Sequence, residues 1–122
     1  MTIVCVDNTP IMLQSLEENA TKAFPYANVQ TFRAAEAAWK YAEENGCDVL
    51  LCEINPPRLE GLFLAEKIKM INPKVNIIFV TVCSESEHAK AVMRLKPSGY
   101  LTKEATNAQI LEELQNLRYP IS

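Results

Sequence analysis

The sequence predicts an α/β domain built on a parallel five-stranded sheet, and three observations support this prediction. Continuous apolar runs alternate along the chain with segments whose apolar residues recur every three to four positions, as in amphipathic helices. Residues that typically start or end helices fall between the two kinds of segment. The chain has 122 residues, which suits one domain. Strands that alternate with helices pair in parallel through right-handed crossovers.

Five strand segments are predicted, and their composition indicates their order in the sheet. Three are wholly apolar, as strands covered on both faces are, namely Ile3–Val6, Val49–Cys52 and Ile77–Val80. Two are partly polar or short, as edge strands tend to be, namely Val29–Phe32 and Gly99–Leu101. Placing the apolar strands in the centre gives the order 2-1-3-4-5. The predicted fold is therefore a flavodoxin-like (βα)5 three-layer sandwich.

One helix follows each strand. In chain order the apolar positions at helical spacing are Leu13, Leu16 and Ala20; Ala35, Ala38, Trp39 and Ala42; Gly61, Leu64, Ala65 and Ile68; His88, Ala91, Val92 and Leu95; and Ile110, Leu111, Leu114 and Leu117. Thr9-Pro10 predicts the N-cap and first residue of the first helix. Asn45-Gly46 predicts the end of the second helix and Asn72-Pro73 that of the third. Trp39 is interpreted as a core residue and His88 as a residue at the core boundary.

The composition argues against several classes of protein. The formal net charge is −3 and no basic run occurs, so direct binding to nucleic acid is not expected. The four cysteines lack CxxC spacing and one histidine accompanies them, which argues against a zinc site and favours buried, reduced thiols. No secretory signal and no apolar run of about 18 residues is evident. We therefore expect a cytoplasmic protein that does not bind membranes.

Polar residues occur where the predicted strands end. Ligands of such sheets bind beyond the carboxyl ends of the strands, where the strand order reverses. Asp7 and Asn8 follow the first strand and Glu53 the third, while Thr81 and Lys103 follow the fourth and fifth. We predict that these side chains converge on one crevice. Singly, each has a simpler interpretation, because Asp7 is also a suitable helix cap, Lys103 a surface ion-pair partner and Thr81 an ordinary strand residue.

Four motifs surround these positions, namely Val6-Asp7-Asn8, Glu53-Ile54-Asn55-Pro56-Pro57-Arg58-Leu59-Glu60-Gly61, Phe79-Val80-Thr81-Val82 and Gly99-Tyr100-Leu101-Thr102-Lys103-Glu104. Their combined spacing resembles the receiver domain of two-component response regulators, over essentially the full chain. The resemblance implies a receiver domain over residues 1–119, with 120–122 as a tail or the start of a linker.

The resemblance also implies roles for these residues. Glu53 stands where the family has its phosphoacceptor aspartate, and Thr81 and Lys103 stand at the phosphoryl-contact positions. Tyr100 stands at the position of the aromatic switch residue, although a static edge-strand aromatic is an equal alternative. Asp7, Glu53 and Asn55 would form a Mg²⁺ site, which Asn8 weakens because a neutral oxygen replaces the usual acid.

Further departures from the family pattern argue against efficient phosphotransfer. The Glu53 carboxylate lies about 1.5 Å further from the backbone than that of an aspartate, and in-line displacement tolerates little misplacement. Val82 replaces a small residue beside the phosphoryl position and is expected to crowd it. Glu104 replaces a proline that commonly follows a cis bond, and a cis bond without proline costs about 3 kcal/mol. We expect the loop at Lys103 to differ accordingly.

These observations predict a degenerate receiver that is not an enzyme. It would act as a protein-interaction or regulatory module, with Glu53 as a partial mimic of a phosphorylated aspartate. The alternative is a phosphorylation-competent, Mg²⁺-dependent receiver that controls an output domain. An enzyme or small-molecule-binding domain on this scaffold is a third class, but the chain has only three glycines and no glycine-rich phosphate loop.

The partners expected from the resemblance are proteins, namely a sensor kinase, an output domain or another copy of the chain. A homodimer through the fourth helix, fifth strand and fifth helix is one expectation. The segment Leu117-Arg118-Tyr119-Pro120 leaves the last helix at a proline, as a linker to an output domain would.

Overall fold

A computed structural model of the chain describes residues 1–54, 59–82 and 89–121. Within these ranges, strands and helices alternate strictly. They are β1 (Thr2–Val6), α1 (Pro10–Ala23), β2 (Asn28–Phe32), α2 (Ala35–Asn45), β3 (Val49–Ile54), α3 (Glu60–Ile71), β4 (Asn76–Thr81), α4 (Ala89–Arg94), β5 (Gly99–Thr102) and α5 (Asn107–Gln115). The predictions for Asn55, Cys83 and His88 lie outside the described residues.

The sheet is parallel throughout and its strand order is 2-1-3-4-5, which confirms the predicted fold. The three apolar strands β1, β3 and β4 are central, and β2 and β5 form the edges. The physical reason is burial on both faces, since every residue of β4 is buried and no residue of β2 is fully buried. Apolar composition therefore decided the position of each strand.

The core consists of two clusters, one on each face of the sheet. One lies between the sheet and the helices α2, α3 and α4, and the other between the sheet and the helices α1 and α5. Phe79 is wholly buried in the first cluster. Trp39 is partly buried against the same cluster, in agreement with its interpretation as a core residue. The three layers expected from the sequence are thus present.

Most helix ends follow the sequence, but Leu95 and Leu117, predicted within the last two helices, lie one and two residues beyond the ends of α4 and α5. Pro10 is the first residue of α1, as predicted, but the hydroxyl of Thr9 does not cap the helix. It donates instead to Asn8 Oδ1 at 3.2 Å. Gly46 follows α2 with a φ of +80°, a conformation that glycine adopts without steric cost. Asn72 follows the last residue of α3, also as predicted.

All five strands are one or two residues longer than predicted, and two of the extensions include site residues. Glu53 is predicted to follow the third strand, but β3 continues to Ile54 and Glu53 pairs in register with Val80. Likewise Thr81 is the last residue of β4 and does not follow it. Both predictions were wrong by one or two residues, because strands pair through their backbones and a polar side chain at the end does not stop the ladder.

Gly61 brings the start of α3 close to β3. A Cβ atom at this position would lie 1.9 Å from the carbonyl oxygen of Glu53 and 2.9 Å from Cys52 Sγ. The first contact is with backbone, so no side-chain rotation would relieve it. The absence of a side chain at Gly61 therefore sets the distance between α3 and the strand that carries Glu53.

The segment after α5 is fastened to the amino-terminal end of β4. The side chain of Asn76 is wholly buried. Its Nδ2 atom donates to the carbonyl oxygen of Tyr119 at 2.9 Å, and its Oδ1 atom accepts from the N–H of Tyr119 at 2.7 Å. Ser98 Oγ donates to the same Asn76 oxygen at 2.8 Å. These bonds satisfy a polar group that would otherwise be costly to bury. The domain limit at residue 119 stays a prediction.

Three cysteines in the described ranges, Cys5, Cys47 and Cys52, are buried free thiols. Burial raises the pKa of Cys47 to about 12 and also raises the pKa of Cys5 and Cys52. These thiols therefore behave as small apolar residues. In the described part of the chain, no helix combines the length and apolar character needed to cross a bilayer.

Candidate functional site

The register of the sheet brings the predicted site residues together at its carboxyl edge. Val6 pairs with Cys52, so Asp7 leaves β1 beside Glu53 on β3. Thr81 pairs with Thr102, and the N–H of Lys103 donates to the Thr81 carbonyl at 2.7 Å. Separate stretches of the chain thus deliver Asp7, Glu53, Thr81 and Lys103 to one rim of the sheet.

Lys103 joins the two acids of the site. Its Nζ atom lies 3.1 Å from Asp7 Oδ1 and 3.0 Å from Glu53 Oε1. The side chains of Lys103 and Glu53 are 16% and 13% exposed, and that of Asp7 is not exposed at all. Hydrogen bonds between charged groups of this kind contribute about 1.5–3 kcal/mol each. The ammonium therefore offsets part of the two negative charges at this edge.

Asp7 is held rigidly by the turn that follows β1. Its Oδ1 atom also accepts from the N–H of Thr9 at 2.8 Å, which is the typical turn formed by an aspartate with its own backbone. Its Oδ2 atom is buried and has no hydrogen-bond partner among the described residues. A buried carboxylate oxygen in this state depends on a nearby cation for its stability.

Both carboxylate oxygens of Glu53 are engaged. Oε1 accepts from Lys103 Nζ, and Oε2 accepts from the N–H of Asn8. The longer side chain of glutamate is thus folded back toward the turn between β1 and α1. Asn8, predicted to lie beside the metal site and to weaken it, contributes its backbone N–H here.

The electrostatics of the site favour a charged lysine. Burial lowers the pKa of Lys103, but the hydrogen bonds and negative charges of Glu53 and Asp7 outweigh burial. The net result is a pKa above the usual 10.5. Lys103 therefore carries its charge throughout the physiological pH range.

Thr81 and Val82 lie at the same edge of the sheet, and Tyr100 lies within β5. Thr81 is 2% exposed and Val82, which follows it, is 59% exposed. Tyr100 on β5 is partly buried and packs against the core cluster beneath α2, α3 and α4. The predicted switching of Tyr100 and the predicted crowding by Val82 stay predictions. Asn55, the third residue of the predicted metal site, lies outside the described residues.

Two residues that the sequence analysis missed shape the site. Arg33 follows the edge strand β2, and its guanidinium donates to the carbonyl oxygen of Asn8 at 3.1 Å. This bond stabilises the turn after β1, in which the N–H of Asn8 donates to the Glu53 carboxylate. Gly61 fixes the approach of α3 to β3. Gly61 carried a signal, since it ends the motif that begins at Glu53, but a lone arginine after a strand carried none.

The described residues fit a Mg²⁺ ion poorly as they are arranged. No group of three His, Cys, Asp or Glu side chains in residues 1–54, 59–82 and 89–121 is placed to hold a metal. Mg²⁺ requires oxygen ligands in near-octahedral geometry, whereas the oxygens of Glu53 are bonded to Lys103 and Asn8. One oxygen, Asp7 Oδ2, is unbonded within the described ranges.

Comparisons with known proteins identify the family of the chain. A family model described as "Response regulator receiver domain" matches residues 3–115. The response regulator GacA of Pseudomonas aeruginosa (strain PAO1) is 28% identical over 82 residues, which cover 67% of this chain and 38% of GacA. The transcriptional regulatory protein YpdB of Escherichia coli (strain K12) is 27% identical over 117 residues, which cover 96% of this chain and 47% of YpdB. The chain thus spans less than half the length of these two relatives.

Solved structures are similar in fold. A CheY-like response regulator receiver domain protein from Methanospirillum hungatei JF-1 has a TM-score of 0.80 at 23% identity, with 93% of this chain and 90% of that chain covered. The chemotaxis protein CheY4 of Vibrio cholerae has a TM-score of 0.78 at 20% identity, with 93% of this chain and 95% of that chain covered.

Proposed function

Because the chain belongs to the family of response regulator receiver domains, we propose that it is a degenerate receiver. In this proposal it takes up phosphoryl groups inefficiently at Glu53 and serves as a protein-interaction or regulatory module of a two-component system. Receiver domains are signalling modules, so no enzymatic activity of its own is assigned to the chain.

The observation that carries the proposal is the engagement of Glu53. An attacking carboxylate oxygen must point in line at the phosphoryl donor. Here Oε1 is paired with Lys103 at 3.0 Å and Oε2 with the N–H of Asn8. Each bond withdraws charge from the attacking oxygen and fixes the direction of the carboxylate, and a misplacement of about 1 Å costs about 100-fold in rate.

The same contacts support a partial mimic of the phosphorylated state. In a phosphorylated receiver, the lysine would contact the phosphoryl group, and here it contacts the carboxylate of Glu53. One charged hydrogen bond contributes about 1.5–3 kcal/mol, whereas shifting a two-state equilibrium from 1:99 to 99:1 requires about 5.5 kcal/mol. Glu53 therefore biases the domain toward the active conformation without locking it there.

One observation favours the alternative of a Mg²⁺-dependent, phosphorylation-competent receiver that controls an output domain. Asp7 Oδ2 is buried and lacks a hydrogen-bond partner in the described part of the chain, and a metal ion would satisfy it. Asn55 would have to complete such a site. This alternative predicts that Glu53 is phosphorylated in the presence of Mg²⁺. The degenerate receiver is predicted to remain unphosphorylated under the same conditions.

The proposed partners are proteins, either a sensor kinase, an output domain or a second copy of the chain joined through α4, β5 and α5. GacA is named a response regulator and YpdB a transcriptional regulatory protein. We propose by analogy that the chain acts in the cytoplasm in a pathway that regulates transcription. A DNA-binding function of this domain itself is not proposed, because its net charge is −3.

Intact-mass spectrometry after incubation with acetyl phosphate and Mg²⁺ tests the proposal. We expect no phosphoryl adduct on the wild-type chain. The double variant Glu53→Asp/Asn8→Asp restores the family's acids and is expected to gain an adduct in part of the population. A Mg²⁺-dependent adduct on the wild type that is lost in Glu53→Gln would establish the alternative. Absence of an adduct on the double variant would count against the assignment of the site.

A further inference from the structure

Two adjoining clefts form a trench between α2 and α3 that reaches the site. The first, of about 350 Å³, lies beside Glu53 and includes Arg33 in its wall. The second, of about 270 Å³, lies between Trp39 and Phe63. Glu36 lines both clefts, so they are continuous. We call this feature the α2–α3 trench.

The far half of the trench is apolar and partly open to solvent. Phe63 on α3 is 55% exposed, and Trp39 on α2 is partly buried opposite it. Lys67 lies over the Trp39 ring, with Nζ 5.4 Å from its centroid. Single exposed apolar residues are ordinary, but aromatic side chains that line a concave surface are typical of sites that anchor a partner's apolar side chain.

The half of the trench near the site is acidic. Glu36 is exposed and makes no ion pair with any described residue, and Glu53 and Glu60 also line this cleft. Arg33 is the cation among the described lining residues of the first cleft, and its guanidinium already binds the Asn8 carbonyl. A field of this sign repels anions and attracts ammonium and guanidinium groups.

We propose that the α2–α3 trench docks a segment of a partner protein that carries an apolar side chain close to an arginine or lysine. The apolar side chain lies between Trp39 and Phe63, and the basic one faces Glu36. This inference rests on the proposed role as an interaction module and names the chemistry of the partner. Since the docking surface is small, a Kd on the order of 10 µM is expected.

Trp39 is the only tryptophan of the chain, so its fluorescence reports on the trench directly. Three short amphipathic peptides serve as probes: one with leucines flanked by arginines, one with glutamates in place of the arginines, and one with serines in place of the leucines. The leucine–arginine peptide is expected to shift Trp39 emission saturably. The other two peptides should bind at least about tenfold more weakly, because one lacks the basic side chains and the other lacks the apolar side chains.

Matched variants locate the binding. Phe63→Ala and Glu36→Lys are each expected to raise the Kd of the leucine–arginine peptide about tenfold. Met70→Ala on α3 and Glu43→Lys on α2 alter exposed residues of the same helices outside the trench and should leave the Kd unchanged. Circular dichroism verifies that all four variants are folded.

Several results would overturn the docking proposal. These are equal binding of the three peptides, equal losses in trench and control variants, or self-association of the chain that depends on Phe63 and excludes the peptide. The outcomes are separable from those of the phosphorylation assay. If the chain is phosphorylated and also binds the peptide, only the proposal of a degenerate receiver is refuted. If the chain is not phosphorylated and does not bind the peptide, only the docking proposal is refuted.

Discussion

Replacement of Lys103 by methionine removes the ammonium that lies between the carboxylates of Asp7 and Glu53. Breaking a buried ion pair from one side costs about 3–5 kcal/mol, because the remaining charge is left uncompensated. Asp7 is fully buried, but Glu53 and Lys103 are 13% and 16% exposed, and solvent screens their interaction. We therefore expect a loss of about 3 kcal/mol in the free energy of unfolding, at the low end of that range.

Urea denaturation followed by circular dichroism at pH 7 measures this loss. Methionine retains most of the apolar stem of lysine, so the loss reports mainly on charge. Lys40→Met is the matched control, since Lys40 is exposed on α2 and such substitutions usually change stability by less than about 0.5 kcal/mol. A cost for Lys103→Met no greater than that of Lys40→Met would refute the reasoning.

The pH dependence of the same difference provides a second test. The pKa of Lys103 is raised above 10.5 in the folded chain. Its contribution to stability is therefore fully present below pH 10.5 and declines as the pH rises through the folded-state pKa. The difference in stability between wild type and Lys103→Met should stay constant from pH 7 to 9 and shrink at more alkaline pH. A difference that grows with pH would contradict the ion pairs.

Three further predictions concern the framework of the site. Gly61→Ala should destabilise the chain by about 1–3 kcal/mol in urea denaturation, because the added Cβ meets backbone. Gly99→Ala is the control and should destabilise the chain clearly less, because its Cβ meets a flexible glutamate side chain. Equal losses of stability in the two variants would refute this argument. Asn76→Ala should lower the free energy of unfolding by about 2–4 kcal/mol, since three hydrogen bonds are lost from a buried site. No change in stability would show that the hydrogen bonds between Asn76 and the segment after α5 are not stabilising. Cys47, with a pKa raised to about 12, should resist alkylation at pH 8 until urea is added, and rapid labelling of the folded chain, located by peptide mapping, would contradict its burial.

The sequence predicted the fold because a single property, burial of both strand faces, determines the strand order. The apolar runs that identify β1, β3 and β4 are the same residues that the two core clusters require. Strand limits were less predictable. Glu53 and Thr81 are polar, yet each is paired within the ladder, since backbone pairing continues wherever the neighbouring strand offers a partner.

The residues of the site were predictable from the sequence, but the hydrogen bonds between them were not. The position of Asp7, Glu53, Thr81 and Lys103 at one edge follows from topology alone. The direction taken by the Glu53 side chain does not, because its second partner is a backbone N–H of Asn8, and backbone donors carry no signal in a sequence. The hydrogen bonds of Asn76 escaped prediction for the same reason, since two of its partners are the backbone groups of Tyr119.

The most direct test of the central claim is whether the site accepts a phosphoryl analogue at equilibrium. Amide chemical shifts of the wild-type chain, recorded by two-dimensional NMR with and without beryllofluoride and Mg²⁺, provide the measurement. Because Lys103 and the N–H of Asn8 already occupy the carboxylate of Glu53, we predict no saturable shifts at Thr81, Tyr100 and Lys103. Saturable, Mg²⁺-dependent shifts centred on those three residues would contradict the account.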